Sequence, residues 1–468
     1  MKKLVLMTVF CFMITGISKA QQLEWYNTVL PKGQPSNSII TPSTLTNINN
    51  KIILSGLTLS KSISLYGSSS TVLTASNIIP DAYFLSFDDK GQLETSQIIY
   101  TPNGNDGLAS LYHNKSDNFI YASFSTTSDS IRFTATMPWI KVTRKNANTY
   151  NSYIIIYDNS FNYVSYIPCV SYNGCQVGIK AIDKAGNIYL GGTYKDSLMF
   201  NGKLLSKSQS IYSTSFIMKL DNNNNLQWIN ENGNLFYLNE TRNSFYILGG
   251  VEKNMAAVIK YNKTDSLVFY SNPSYRTIIA EFAATTGHLK QYTTLYDGEG
   301  KGFSNSELKG DDKTLLLNRY TTSSGLIKLK IGSDSFSYML SSLYSNNFII
   351  GFDASNLRHK FINFFDSSVF KLNITDIYND SLYSIIGNTG GNQNFGFNGQ
   401  NAFTKDHIKT RPVSFSFPSD FYASYTTTNR LKDLWYLNTH PSLNSSVFFY
   451  EGKSILANSG NIYIAGTI

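Results

Sequence analysis

GNIYLGGT, residues 186–193, returns as GNIYIAGT at residues 460–467, one residue before the sequence stops at Ile468. Each copy is a short apolar run after a turn-rich stretch. Looser copies stand at KIILSGL around Ile53, FIYASFS around Tyr121, FYILGGV around Tyr246, TLLLNRY around Leu316 and LYSIIGN around Tyr383. With Tyr189 and Tyr463 as the centres of the two close copies, successive spacings are 68, 68, 57, 70, 67 and 80 residues. Seven copies at a near-constant period mark a repeat architecture, in which one supersecondary unit buries its apolar face against the next.

A second motif falls between the copies: AYFLSFDDKGQL, SYIIIYDNSFNY, SFIMKLDNNNNL, TIIAEFAATTGHL, NFIIGFDASNL and DFYASYTTTNRL. In FIMKL, Phe216, Met218 and Leu220 alternate with Ile217 and Lys219, the period of a strand whose side chains face two sides in turn. Asp88, Asp158, Asp221 and Asp353 follow, where a short carboxylate accepts N–H groups of a tight turn. The next strand is expected to begin at Leu93, Tyr163, Leu226, Leu289, Leu357 or Leu431. The unit is thus a strand, a variable loop with one more strand, and a β-hairpin. No segment shows a helical period with caps.

The sequence therefore predicts an all-β chain of about four antiparallel strands per unit, most economically a β-propeller of seven blades. A linear solenoid is the competing arrangement. Closure favours the ring, because Leu23-Glu24-Trp25 matches Leu226-Gln227-Trp228, the start of a unit's last strand. One blade would then be shared by the two ends of the chain. Nothing after Ile468 corresponds to SFIMKLD, so the encoded chain is expected to continue, or the last blade to be irregular.

Residues 1–20 read as a signal peptide: MKK is basic, LVLMTVFCFMITGI is apolar, and Ser18-Lys19-Ala20 offers a small-x-small cleavage site. Cys11 would leave with it. A single domain over 21–468 remains, 448 residues long. Loss of Lys2, Lys3 and Lys19 lowers the formal charge from +8 to +5. No basic cluster suggests nucleic acid. No later stretch approaches the roughly 18 to 20 apolar residues of a membrane-spanning helix. The expected setting is export: secreted, on the outer cell surface, or periplasmic.

Residues 183–229 resemble the bacterial seven-bladed β-propeller (SBBP-type) repeat, written loosely D-x-x-GN-x-Y-x-x-G … F-x-x-K-L-D-x-x-G-x-x-x-W. Asn224 or Asn225 stands where that pattern has Gly. The resemblance implies the propeller fold and an exported bacterial setting, like Bacteroidetes surface proteins, and it carries no catalytic residues over. Four Asp-Ser-aliphatic sites, at Ser130, Ser197, Ser266 and Ser381, resemble the O-glycosylation acceptor of that group. Their plainer reading is a turn before a strand.

Chemical motifs are scarce. His113, His288, His359, His407 and His440 are scattered without metal-ligand spacing, and there is no GxSxG elbow or Walker loop. Asp311-Asp312 reads as a solvated turn, and Asp221–Asn225 as a hairpin turn rather than a calcium loop. No metal or cofactor is expected. Cys169 and Cys175, in PCVSYNGC, are candidates for a local disulfide, with two unpaired thiols as the alternative. Of the tryptophans, Trp25 and Trp228 hold repeat positions and should pack between units. Trp139, in the atypical insert TMPWIKVTRKN, is the candidate ligand contact. The expected function is a non-catalytic binding or adhesion scaffold for a glycan or protein. A polysaccharide hydrolase or lyase working in a central funnel is the alternative, and a structural spacer a third reading.

Overall fold

In this computed structural model the described residues are 29–467 except 32–39, 50, 59–61, 66–72, 75–80, 89, 103–104, 143–148, 208–212, 252–255, 262–264, 271–275, 297–303, 322–324, 332–333, 341–345, 366–368, 379–381, 390–395, 398–399, 402–418, 427–430, 438–449 and 457–461. Among them, every regular element is a β-strand, and every strand pair is antiparallel. Trp25, Ser381, His407 and His440 lie outside the described residues.

The unit built around GNIYLGGT shows the pattern. Cys175–Ile182, Ile188–Tyr194, Thr214–Leu220 and Leu226–Glu231 pair in chain order. Five further sheets repeat it, and their first strands are Ile40–Ile48, Asp106–Asn114, Asn234–Asn239, Ser304–Gly310 and Val369–Tyr378. A final pair, Tyr450–Leu456 with Ile462–Thr467, carries the second copy of the refrain. The refrain is thus the second strand of its unit, not the first. The additional strand expected in the variable loop instead precedes the refrain, as Cys175–Ile182 does in this unit.

The loop does something else. In the third unit it forms the hairpin Ser197–Phe200 and Lys203–Lys207, which pairs with Tyr163–Val170, the last strand of the second sheet. Ala256–Tyr261 joins Leu226–Glu231 in the same way, Gly325–Ile331 joins Leu289–Tyr296, and Gly396–Phe397 joins His359–Phe365. Among the described residues, the third to sixth units each therefore lend a hairpin to the last strand of the sheet before, covering backbone groups that an edge strand would expose. By the same rule Ser62–Leu65, from the loop of the first sheet, pairs with Val29–Pro31.

In the third sheet both faces are buried. Phe216, Met218 and Leu220 pack with Tyr121 and Ile154 of the second sheet, while Ile217 packs with Phe245 and Ile278 of the fourth. The alternation in FIMKL thus sends side chains into two cores, which is why nearly the whole strand is apolar. Trp228 lies in the second of these cores, stacked on Phe245 at 4.6 Å between centroids, with Nε1 donating to the Ala284 carbonyl at 3.1 Å.

The turns follow the carboxylate logic closely. Asp221 Oδ1 accepts from the N–H groups of Asn223 and Asn225, and Asp88, Asp158 and Asp183 do the same in their turns. Asn224 is the residue in the left-handed region, with φ of 63°, taking the role of glycine at Gly91 and Gly287. Phe161 and Leu357 occupy the equivalent place at 62° and 54°. Leu357 is therefore a turn residue, and the strand expected there begins two residues later, at His359.

Candidate functional site

The insert containing Trp139 is a short hairpin, Ser130–Ile131 against Ile140–Lys141. It meets the preceding sheet through an antiparallel bridge in which Tyr100 and Arg132 exchange both N–H···O bonds, each 3.0 Å. This is the hairpin exchange of the other units reduced to one residue pair. The Phe133 side chain fastens the insert to the second sheet: it is fully buried and lies 5.7 Å from the Tyr163 ring and 5.3 Å from the Tyr166 ring. Gln97 Nε2 also donates to the Phe133 carbonyl at 3.0 Å.

On this base Arg132 is held between two aromatic rings. Its guanidinium carbon is 4.6 Å from the Tyr100 centroid and 4.7 Å from the Trp139 centroid, and one terminal nitrogen donates to the Ala135 carbonyl at 3.0 Å. Cation–π attraction of this kind contributes about 0.5–1 kcal/mol per contact at an exposed site. The indole stays 45% exposed. A flat apolar surface, fixed by a cation and backed by an insert anchored through Phe133, can stack on the C–H face of a sugar ring or on a partner's side chain. Trp139 was legible in the sequence. Arg132 and Tyr100 were not, because their contact joins residues 32 apart in different units.

The other expected site residues do not gather around it. Ser130 and Ser197 are half-buried in hairpin strands, and Ser266 is exposed as the second residue of the strand Asp265–Tyr270. Cys169 and Cys175 are free, buried thiols and not the expected disulfide. The Cys175 thiol points at the Cys169 carbonyl oxygen, 2.8 Å away. Burial pushes the Cys169 thiol well above its usual range and the Cys175 thiol up to about 12, so neither ionises readily.

The described histidines are also dispersed. His113 meets Asn118, His288 lies 3.9 Å from Asp265, and His359 lies 3.6 Å from Asp334. Among the described residues no three His, Cys, Asp or Glu side chains cluster at metal-binding distance.

A cleft of about 240 Å³ opens between the third and fourth sheets, lined by Asp183, Lys184, Tyr189 and Glu240. Its charges face each other. Lys184 pairs with Glu240 at 3.5 Å, and Asp183 accepts from the Tyr189 hydroxyl at 3.3 Å and sits 3.8 Å from Lys219 Nζ. Lys219, held low by burial against the opposing pull of Asp183, also donates to the Ala284 carbonyl at 3.2 Å. The cleft is smaller than the roughly 300–1,000 Å³ of ordinary ligand pockets, and its polar groups tie two sheets together.

No family model and no curated protein matches the chain. Among solved structures it is similar to the uncomplexed Pyrococcus horikoshii acylaminoacyl peptidase, with a TM-score of 0.29 and 7% identity. That likeness covers 76% of this chain and 59% of that one, and at such a score it carries no argument about fold or activity.

Proposed function

We propose that the repeated sheets are the blades of a seven-bladed β-propeller, exported by its N-terminal segment and acting as a non-catalytic scaffold that binds a glycan. The propeller reading is supported by a cycle of contacts. The first strands of the six sheets touch in series, from Ile40–Ile48 to Asp106–Asn114, Cys175–Ile182, Asn234–Asn239, Ser304–Gly310 and Val369–Tyr378. Val369–Tyr378 then touches Tyr450–Leu456, which in turn touches Ile40–Ile48. A linear solenoid would have no contact between its last unit and its first. Val29–Pro31 takes the outer-strand place of the closing blade, as its pairing with the first sheet's hairpin implies.

The binding reading rests on one observation, the Trp139 indole fixed by Arg132 and left 45% exposed. An aromatic plane for the apolar face of a pyranose, beside a guanidinium for its hydroxyl or carboxylate groups, suits a glycan better than an apolar peptide. Affinity electrophoresis through a panel of soluble polysaccharides tests this. At least one polysaccharide should retard the protein, and Trp139→Ala should abolish that retardation while leaving the near-ultraviolet circular dichroism unchanged. Retardation that persists in Trp139→Ala, or a panel without effect beside capture of a protein partner, overturns the glycan reading. Release of reducing ends would instead make the protein an enzyme.

A further inference from the structure

Asp81 opens the third strand of the first sheet and Asp106 opens the first strand of the second. Both are buried, at 0% and 5% exposure, and both converge on the buried hydroxyl of Thr101, which lies 3.4 Å from Asp81 Oδ1 and 2.9 Å from Asp106 Oδ2. One hydroxyl has one proton, so it donates to only one of the two carboxylates. The other oxygen of Asp106, Oδ1, is buried and has no hydrogen-bond partner.

Neither protonation state answers for that oxygen. An ionised Asp106 leaves a desolvated anionic oxygen beside a second carboxylate, and a neutral one leaves a buried carbonyl or O–H unmatched. Burial does push the Asp106 carboxyl well above the usual carboxylate range. The Thr126 and Thr101 hydroxyls act against that shift, and the Asp81 charge acts with it. An orphaned polar atom in a folded interior calls for a water or an ion.

We infer that Asp81, Asp106 and Thr101 form a binding site for calcium at the junction of the first and second sheets. Two carboxylates and a hydroxyl are hard oxygen ligands. Calcium tolerates the irregular six-to-eight-fold shell that backbone carbonyls and water would complete, whereas magnesium demands a near-octahedral one. With two carboxylates, affinity belongs in the range of extracellular calcium modules, roughly 10⁻⁴ to 10⁻³ M. Thr101 directly follows Tyr100, so the cation would also steady the segment that presses Arg132 against Trp139.

The test is thermal unfolding of the whole protein, stripped with chelator and then titrated with calcium chloride. At tenfold excess over the dissociation constant, the midpoint should rise by about 1–2 °C, with magnesium less effective. Asp106→Asn and, independently, Asp81→Asn should lose the rise, while Asp221→Asn, altered in a turn, should keep it. Near-ultraviolet circular dichroism at low temperature shows which variants are folded. A wild-type midpoint unmoved by millimolar calcium overturns the site without reference to any variant. So does a calcium response that survives in folded Asp106→Asn.

Discussion

Leu357 shows how a single residue can be wrong for its backbone and right for its place. A γ-branched side chain at φ of 54° is strained by roughly 1–3 kcal/mol, yet Leu357 is 1% exposed and packs in the core shared by the fourth and fifth sheets. Burial offsets the strain. In urea unfolding, Leu357→Ala should cost about 2–4 kcal/mol, because the cavity opens and the strain remains. Leu357→Gly opens a slightly larger cavity but releases the strain, so it should cost less than the alanine variant, the reverse of the usual strand order. Equal or greater loss in the glycine variant would show that the backbone is unstrained. The same position in other turns holds Gly91, Asn224 and Gly287, for which the left-handed region is inexpensive. Sequence reading identified the turn but placed Leu357 in the strand, since an apolar residue after a polar run looks like a strand start. Only the backbone angle distinguishes the two roles.

At the scale of elements, the refrain strand and the hairpin that follows the variable loop were legible, because period-two alternation and the Asp turn are local signals. The first strand of each unit was not, since segments such as CQVGIKAI lack a repeated residue. The exchange of hairpins between neighbouring sheets was hidden for a different reason: edge pairing is a long-range choice with no local signature. The candidate site divides the same way, with Trp139 visible as an aromatic in an atypical insert, and Asp81 and Asp106 unremarkable until two sheets bring them together. First strands also show coupling between units. At an irregularity in Val369–Tyr378, the Ile374 N–H donates to Glu307 Oε2 at 2.6 Å, and its carbonyl accepts from Lys309 Nζ at 2.7 Å. Both side chains come from Ser304–Gly310 of the sheet before, and they hold each other at 3.2 Å. Glu307→Ala should destabilise the protein by about 1–3 kcal/mol, the range for a lost charge-assisted bond or an orphaned amide. Hydrogen exchange at Ile374 should quicken while exchange in the first sheet is unchanged. Unaltered protection at Ile374 would mean that the Glu307 carboxylate contributes nothing to holding that strand.

For the whole molecule, the question is whether the cycle of contacts closes in solution. The second, third and fourth sheets each pack into a core on both faces, so an open row built the same way would leave two broad apolar faces, one at each end, larger than a soluble chain ordinarily exposes. Closure removes both at once. It replaces them with the contacts of Tyr450–Leu456 to Ile40–Ile48 on one side and Val369–Tyr378 on the other. The pairing of Val29–Pro31 with Ser62–Leu65 ties the N-terminal side to the same junction. Small-angle scattering separates the alternatives without knowledge of any ligand. A closed, compact chain of this length should have a radius of gyration of about 22–23 Å. An open array of the same sheets must be longer, with a distance distribution skewed to a long tail. If the compact value is found, Leu45→Asp, a charge placed at a buried position of the first strand at the junction, should raise it by loosening closure. An elongated particle in the wild type would favour the solenoid and leave the terminal sheets as unsatisfied faces.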